Sequence, residues 1–197
     1  HWAEAERALG RCADPERRSE LFDALGLAGS DLAARPWGWS RGMQQRFVIA
    51  MGLIGAPKLL ILDEPTSSLS ARESERLFAL IERLRERGVA ILYISHRMSD
   101  IERVADRIVA MRDGQVSGLF ETRPLDTAAA VDAMLGRIVS AAGFDAREGG
   151  AVRLALDGVR LRRDAAPIDL ELRQGEVVAV TGLVGSGKSA LAETLFG

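Results

Sequence analysis

The sequence is short of cysteine, of aromatic residues and of any excess of charge. Its single cysteine, Cys12, has no second thiol to pair with, which excludes an internal disulfide framework and fits a reducing compartment. Lysine and arginine total 26 against 28 aspartate and glutamate, a formal net charge of -2. Nucleic-acid binders carry a basic balance or a basic stripe, so that class is disfavoured. No long apolar run is present either. The longest, around residues 47–56, is about half of the ~20 residues that a membrane span requires, and no secretory leader is visible. A membrane, if one is involved, has to come from a partner. What remains is the composition of a globular protein of one or two domains, 47% hydrophobic and 27% charged over 197 residues.

The patterning alternates between helix and strand. Residues 1–35 read as helical, with Asp14-Pro15-Glu16 as a start and a break over residues 26–30. A helix is expected over residues 41–54 and a short buried strand over residues 58–62. Leu77, Leu80, Ile81 and Leu84 recur at helical spacing in a charged segment, which predicts an amphipathic helix over residues 71–87. Gly88 ends it, and residues 89–94 form another buried strand. A short helix (99–104) and two strands (107–111 and 115–120) follow, the strands joined by an Asp113-Gly114 hairpin turn. Such alternation means a parallel sheet covered by helices. Residues 123–150 read as a connector holding a short helix near 127–135. Strands are then expected at 152–156, 168–172 and 177–181. The expected fold class is α/β: a parallel sheet with helices, then the β-rich start of a second domain near Ala151. His1 in place of a methionine, and an end at Gly197 inside a helical pattern, are what a truncated reading frame would give.

Three constellations carry chemistry. Gly182 to Ser189 fits the phosphate-loop pattern G-x-x-x-x-G-K-[ST], with an apolar strand leading in and a helix leading out. Glycines let backbone N–H groups face phosphates, the helix N-terminus adds positive potential, and Lys188 neutralises charge. Gly182, Gly185, Ser186, Gly187, Lys188 and Ser189 are therefore the candidate ATP contacts, and the Ser189 hydroxyl is a candidate Mg2+ ligand. Next, the apolar strand ending in Asp63-Glu64 delivers two carboxylates at a strand C-terminus, where open α/β sheets place ligands. In phosphoryl transfer to water, Asp63 would hold Mg2+ and Glu64 would orient or deprotonate the attacking water. Taken alone, the two acids serve equally well as a cap for the following segment. The third constellation, Ser40-Arg41-Gly42-Met43-Gln44-Gln45-Arg46, opens a helix, and an ordinary N-capped helix is its plainest reading.

These last residues resemble the signature motif of the ATP-binding cassette (ABC) ATPases, commonly Leu-Ser-Gly-Gly-Gln followed by Gln-Gln-Arg. Trp39, Arg41 and Met43 depart from that pattern. By the resemblance Ser40 and Gly42, with Gln44 in the same set, hold the γ-phosphate of ATP bound on an opposing cassette. Ser67 to Ser70 resembles the loop after the catalytic acid, with Ser70 in place of an aspartate. Ile94 to Met98 resembles the switch-histidine segment, which makes His96 a catalytic candidate beside Glu64.

An ABC cassette runs phosphate loop, signature, acids, histidine, whereas here the phosphate loop comes last. Circular permutation would produce that order. The simpler expectation is the back of one cassette (1–122, an incomplete P-loop NTPase type domain), a linker (123–150) and the front of a second (151–197). The strings from Ser95 to Glu102, from Ala105 to Val109 and from Arg112 to Gly114 resemble tandem-cassette ATPases of monosaccharide importers. That resemblance implies ATP and Mg2+ as cofactors, transmembrane permease subunits and a periplasmic sugar-binding protein as partners, and a peripheral place on the cytoplasmic face of the inner membrane. Nucleoside and autoinducer-2 importers share most of these motifs. Ribosome-associated tandem cassettes share them too, but join their cassettes by a long charged linker that this chain lacks. On this reading Gly182–Ser189 pairs with Ser40 and Gly42, and cysteines at positions 40 and 186 would crosslink in the presence of ATP. Asp63, Glu64 and His96 would serve a different site. The chain alone is then a poor ATPase, and insertion of its last strand beside the strand at 59–62 is the minor alternative.

Overall fold

A computed structural model describes residues 15–27, 38–121, 124–136, 150–161, 165–183 and 185–196. The elements in chain order are α1 (Pro15–Leu25), α2 (Arg41–Leu53), β1 (Leu59–Asp63), α3 (Ala71–Glu86), β2 (Ala90–Ile94), α4 (Met98–Val104), β3 (Arg107–Arg112), β4 (Gln115–Phe120), α5 (Thr127–Leu135), β5 (Val152–Val159), β6 (Ile168–Arg173), β7 (Val177–Gly182) and α6 (Lys188–Phe196). They fall into two compact units. One holds residues 1–57 and 65–83, the other residues 58–64 and 84–197. The expected divisions at 122/123 and 150/151 are divisions of sequence, and the compact units are drawn elsewhere.

In the first unit α1, α2 and most of α3 are tied by one buried cation. Arg46 on α2 donates to the carbonyls of Leu25 and Gly26 (both 2.8 Å) at the end of α1. It donates to Gly42 O (3.2 Å) within α2 and pairs with Glu73 on α3 at 2.6 Å. The planar guanidinium thereby satisfies carbonyls that a helix terminus leaves without partners. Ser70 opens α3: its amide and hydroxyl both donate to the Glu73 carboxylate (2.8 and 2.7 Å), so the glutamate three residues on reaches back to the start of the helix as in one half of a capping box.

The second unit is built on a five-stranded sheet of order β1-β2-β7-β3-β4. β1, β2, β7 and β3 run parallel, and β4 closes the far edge as an antiparallel hairpin partner of β3. β7 is the centre. Its six residues are all buried, as expected of a strand covered on both faces. Each of its valines contributes about 1.5–3 kcal/mol of burial. One face of the sheet packs Leu92, Ile94, Met111, Val178 and Val180 against Leu156, Ile168, Leu170 and Leu172 of the separate β5-β6 hairpin, and against Leu191 of α6. The other face is covered by Ile101 of α4, by Ala105 just after that helix, and by Ala130, Ala133 and Met134 of α5.

Polar contacts fix where β7 begins. Asp106 Oδ2 accepts from Val177 N at 3.1 Å, and Asp106 N donates to Val177 O at 2.9 Å. Arg85 pairs with Asp106 at 3.2 Å, while Arg107 reaches both Glu176 (2.5 Å) and Glu121 (2.7 Å). Ile91 N donates to Glu176 O at 2.8 Å, which sets β7 against β2 from the other side.

Two expectations change. The last strand does enter the sheet, and it does so between β2 and β3 instead of beside β1. The reason is register: β7 finds a parallel partner on each side, from Ile91–Ile94 and from Arg107–Met111. Boundaries move as well. β5 extends to Val159 and α6 starts at Lys188, two residues before the apolar pattern does. Of the helix expected over residues 1–35, only α1 lies within the described residues.

Candidate functional site

The C-terminal ends of β1, β2 and β7 bring the phosphate loop and the paired acids to one edge of the second unit. β7 ends at Gly182, and the loop from there passes into α6 at Lys188. Glycine is required at both ends of this loop. A Cβ on Gly182 would lie 2.3 Å from Met111 O and 2.4 Å from Ser186 Oγ. Gly187 holds φ +97°, which only glycine adopts readily. The Lys188 side chain, only 8% exposed, turns back along the loop, where Nζ donates to Gly182 O (2.7 Å) and Leu183 O (3.1 Å). An ammonium held by two backbone carbonyls is poised for exchange onto phosphate oxygens, which bind it more strongly through charge.

Asp63 closes β1 and Glu64 follows it. Lys188 and Ser189, at the start of α6, lie near enough to the Asp63 carboxylate to act on its titration, so the phosphate loop and the first acid are neighbours. Burial holds the Asp63 carboxyl above the usual range, and the neighbouring Glu64 charge adds to that; the Lys188 charge and the nearby Ser189 hydroxyl pull the other way without cancelling it. Among the described residues no group of three or more His, Cys, Asp or Glu gathers to cage a metal. One carboxylate beside one hydroxyl suits Mg2+, which is held by few protein ligands together with waters and phosphate oxygens. The residues present therefore fit a Mg2+-nucleotide.

Glu64 sits at φ +44°, a left-handed conformation that costs a non-glycine residue about 1–3 kcal/mol. Its amide is anchored to Ile94 O at 2.9 Å. The turn aims the side chain at the end of β2, where Glu64 Oε1 lies 2.7 Å from His96 Nδ1. His96 is 58% exposed and Glu64 28%. A carboxylate and an imidazole at this spacing can hold or pass a proton beside the phosphate loop.

In the first unit Ser40 caps α2, its side chain accepting from Met43 N at 3.2 Å. Gly42 is forced by close approach, since a Cβ there would stand 2.9 Å from Ser68 O. Gln44 Nε2 donates to Trp39 O at 3.2 Å. Hydrogen bonds from Ser70, and then the nearby Arg46 charge, hold the Glu73 carboxyl below its usual range.

Asp63, Glu64, His96, Gly182, Gly185, Ser186, Gly187, Lys188 and Ser189 thus lie in one unit, and Ser40, Gly42 and Gln44 in the other. The sequence reading had divided the acids and this phosphate loop between different composite sites. In this chain both stand at the C-terminal ends of strands of one sheet, because β7 lies next to β2. Sequence reasoning also missed Gly114, whose amide donates to Ser186 O at 2.8 Å. Its Asp-Gly dipeptide marked a hairpin turn, and nothing local shows where the tip of a hairpin points.

Fold and sequence together show what class of protein the chain is similar to, the ATP-binding cassettes of ABC transporters. The family model described as ABC transporter matches residues 4–67. The ribose import ATP-binding protein RbsA 2 of Rubrobacter xylanophilus is 41% identical over 90% of this chain and 34% of its own length. RbsA of Chromobacterium violaceum is 43% identical over 92% of the chain and 36% of its own. The arabinose import ATP-binding protein AraG of Yersinia pestis is 44% identical over 80% and 31%. The chain therefore spans about a third of the length of the curated relatives it matches. The solved dimeric structure of MJ0796, a bacterial ABC transporter cassette, superposes with a TM-score of 0.51 and 27% identity, over 55% of this chain and 47% of that one. The chain is a relative of the ATP-binding proteins of ribose and arabinose import. Among the described residues no helix is long and apolar enough to cross a membrane.

Proposed function

We propose that this chain binds Mg2+-ATP at the edge of its central sheet and hydrolyses it, as part of an ATPase that powers monosaccharide import across a bacterial inner membrane. The observation that carries the reading is the sheet order: β7, which leads into the phosphate loop, lies beside β2, and β2 lies beside β1, which ends in the acid pair. Lys188 and the backbone amides of Gly185 and Gly187, on either side of Ser186, would receive the phosphates. Asp63 and Ser189 would hold the metal, which supplies charge neutralisation at the phosphates. Glu64 takes the proton from the attacking water, with His96 orienting that carboxylate. Ser40, Gly42 and Gln44 would present a helix N-terminus to the γ-phosphate of a nucleotide on an opposing cassette. The printed functions of the relatives, ribose and arabinose import, support a permease and a periplasmic sugar-binding protein as partners and a peripheral place on the cytoplasmic face of the membrane.

The test is calorimetric binding and turnover of ATP with Mg2+ by the chain, beside two variants. Lys188→Ala is expected to weaken binding about a hundredfold, the equivalent of about 2.8 kcal/mol of charge-assisted bonding. Glu64→Gln is expected to keep binding and lose about 100-fold or more in turnover, the range of a general base. Turnover in the parent that survives either change would sink the assignment.

A further inference from the structure

The β3-β4 hairpin contacts the phosphate loop at both of the loop's glycine pinch points, and nothing in the nucleotide reading uses it. At the loop's start Met111 O, in β3, lies where a Gly182 Cβ would be, at 2.3 Å. At its end the Gly114 Cα lies 3.0 Å from where a Gly187 Cβ would be. Between these points the Gly114 amide donates to Ser186 O at 2.8 Å. Register pairing of Arg112 with Gln115 leaves a two-residue tip, Asp113 at φ +52° and Gly114 at φ +78°. Two successive left-handed residues are the mark of the tight hairpin turn that suits strand twist. The tip's amide is consequently directed off the hairpin, to the loop, by the turn itself.

One peptide unit links this bond to phosphate chemistry. Ser186 C=O and Gly187 N–H belong to the same planar trans group, so they point in opposite directions. A donor that draws the Ser186 carbonyl towards the hairpin thereby turns the Gly187 N–H away from it, towards the concave side of the loop. The preceding peptide is held separately, by Ser186 N donating to Leu183 O at 3.0 Å, and the Ser186 carbonyl takes its bond from the hairpin. We propose that Gly114 is a positioning residue for phosphate binding: its backbone amide sets the Ser186–Gly187 peptide so that the Gly187 N–H is presented as an anion donor. The proposal rests on the nucleotide reading above and adds to it a residue from outside the phosphate-loop motif.

The test replaces the Gly114 amide by an ester, with glycolic acid at position 114 of the full chain. The substitution removes the donor and leaves the turn's dihedral demands unchanged. Mg2+-ADP is the probe, read by calorimetry and by the amide resonance of Gly187. The ester chain is expected to keep its circular dichroism, to bind Mg2+-ADP about 3- to 10-fold more weakly, the scale of one hydrogen bond, and to show a smaller ADP-induced shift at Gly187. Asp113→Gly, which changes an exposed side chain and keeps the Gly114 amide, is expected to leave affinity within about twofold. Equal affinity and an equal Gly187 shift in parent and ester chains would overturn the positioning role alone. A parent chain that binds no Mg2+-ADP would overturn the nucleotide reading and this proposal together.

Discussion

At the scale of single residues, Asp63 shows a conflict between stability and binding. Its carboxyl is held above the ordinary range in the folded chain, so the folded state binds that proton more tightly than the unfolded state does. The favourable contribution is therefore present at low pH and lost as pH rises through the folded-state value. At neutral pH the burial cost stands in full. Asp63→Asn removes the charge and keeps the shape, and is expected to raise the melting temperature at pH 7 while abolishing the Mg2+ dependence of nucleotide binding. Thermal melts with calorimetry in the presence and absence of Mg2+ would measure both; an unchanged or lowered melting temperature would contradict the burial explanation. Glu73 behaves oppositely. Its carboxyl is held low by Ser70 and Arg46, so its contribution is present at neutral pH and lost on acidification through the folded-state value.

Among the elements, α2 owes its position to Arg46 more than to its apolar stripe. The guanidinium is 7% exposed and bonds carbonyls of α1 and α2 as well as a carboxylate of α3. Arg46→Ala would leave buried carbonyls and Glu73 without those bonds. We expect a loss of about 2–4 kcal/mol, read as a lower denaturant midpoint. Arg46→Lys is expected not to restore it, because a single ammonium cannot serve all of these acceptors at once. In the sequence, Arg46 was legible only as part of a family-like string. Its structural work depends on α1 ending where it does, 21 residues upstream at Leu25. By contrast α3, β2 and the β3-β4 hairpin were legible almost to the residue. Their signals are local: apolar spacing, a terminating glycine, an Asp-Gly turn. The same is true of the phosphate loop and the acid pair as separate strings. Their sharing of one edge was not legible, because it depends on which strands neighbour β7, a choice made by side-chain fit far along the chain.

For the whole molecule, the strand at the centre of the sheet is supplied from the C-terminal side of the connector. A chain ending at Gly150 would lack β7 and present open strand edges on both β2 and β3, each offering unpaired backbone groups to other chains. Such a chain is expected to elute as aggregate in size-exclusion chromatography, where the full chain gives a defined peak. A defined, folded peak from the shortened chain would mean that β2 and β3 close on each other without β7. A ligand spanning both Lys188 and Asp63 stabilises the seated strand by mass action, by about 2.7 kcal/mol at a hundred times its dissociation constant. Mg2+-ATP should therefore raise the melting temperature of the full chain and not of the Lys188→Ala variant.

The central place of β7 also sets an order in time. During synthesis, roughly 80 residues separate the end of β2 at Ile94 from the start of its neighbour β7 at Val177. At about 5–20 residues per second the ribosome takes on the order of 4–16 s to cover that distance. For the later part of that interval, once β3 and β4 are made, the nascent chain holds two half-sheets around a gap, one ending in β2 and the other in β3. Whatever occupies the gap first, a chaperone, a neighbouring nascent chain or the chain's own last strand, decides the yield of folded protein.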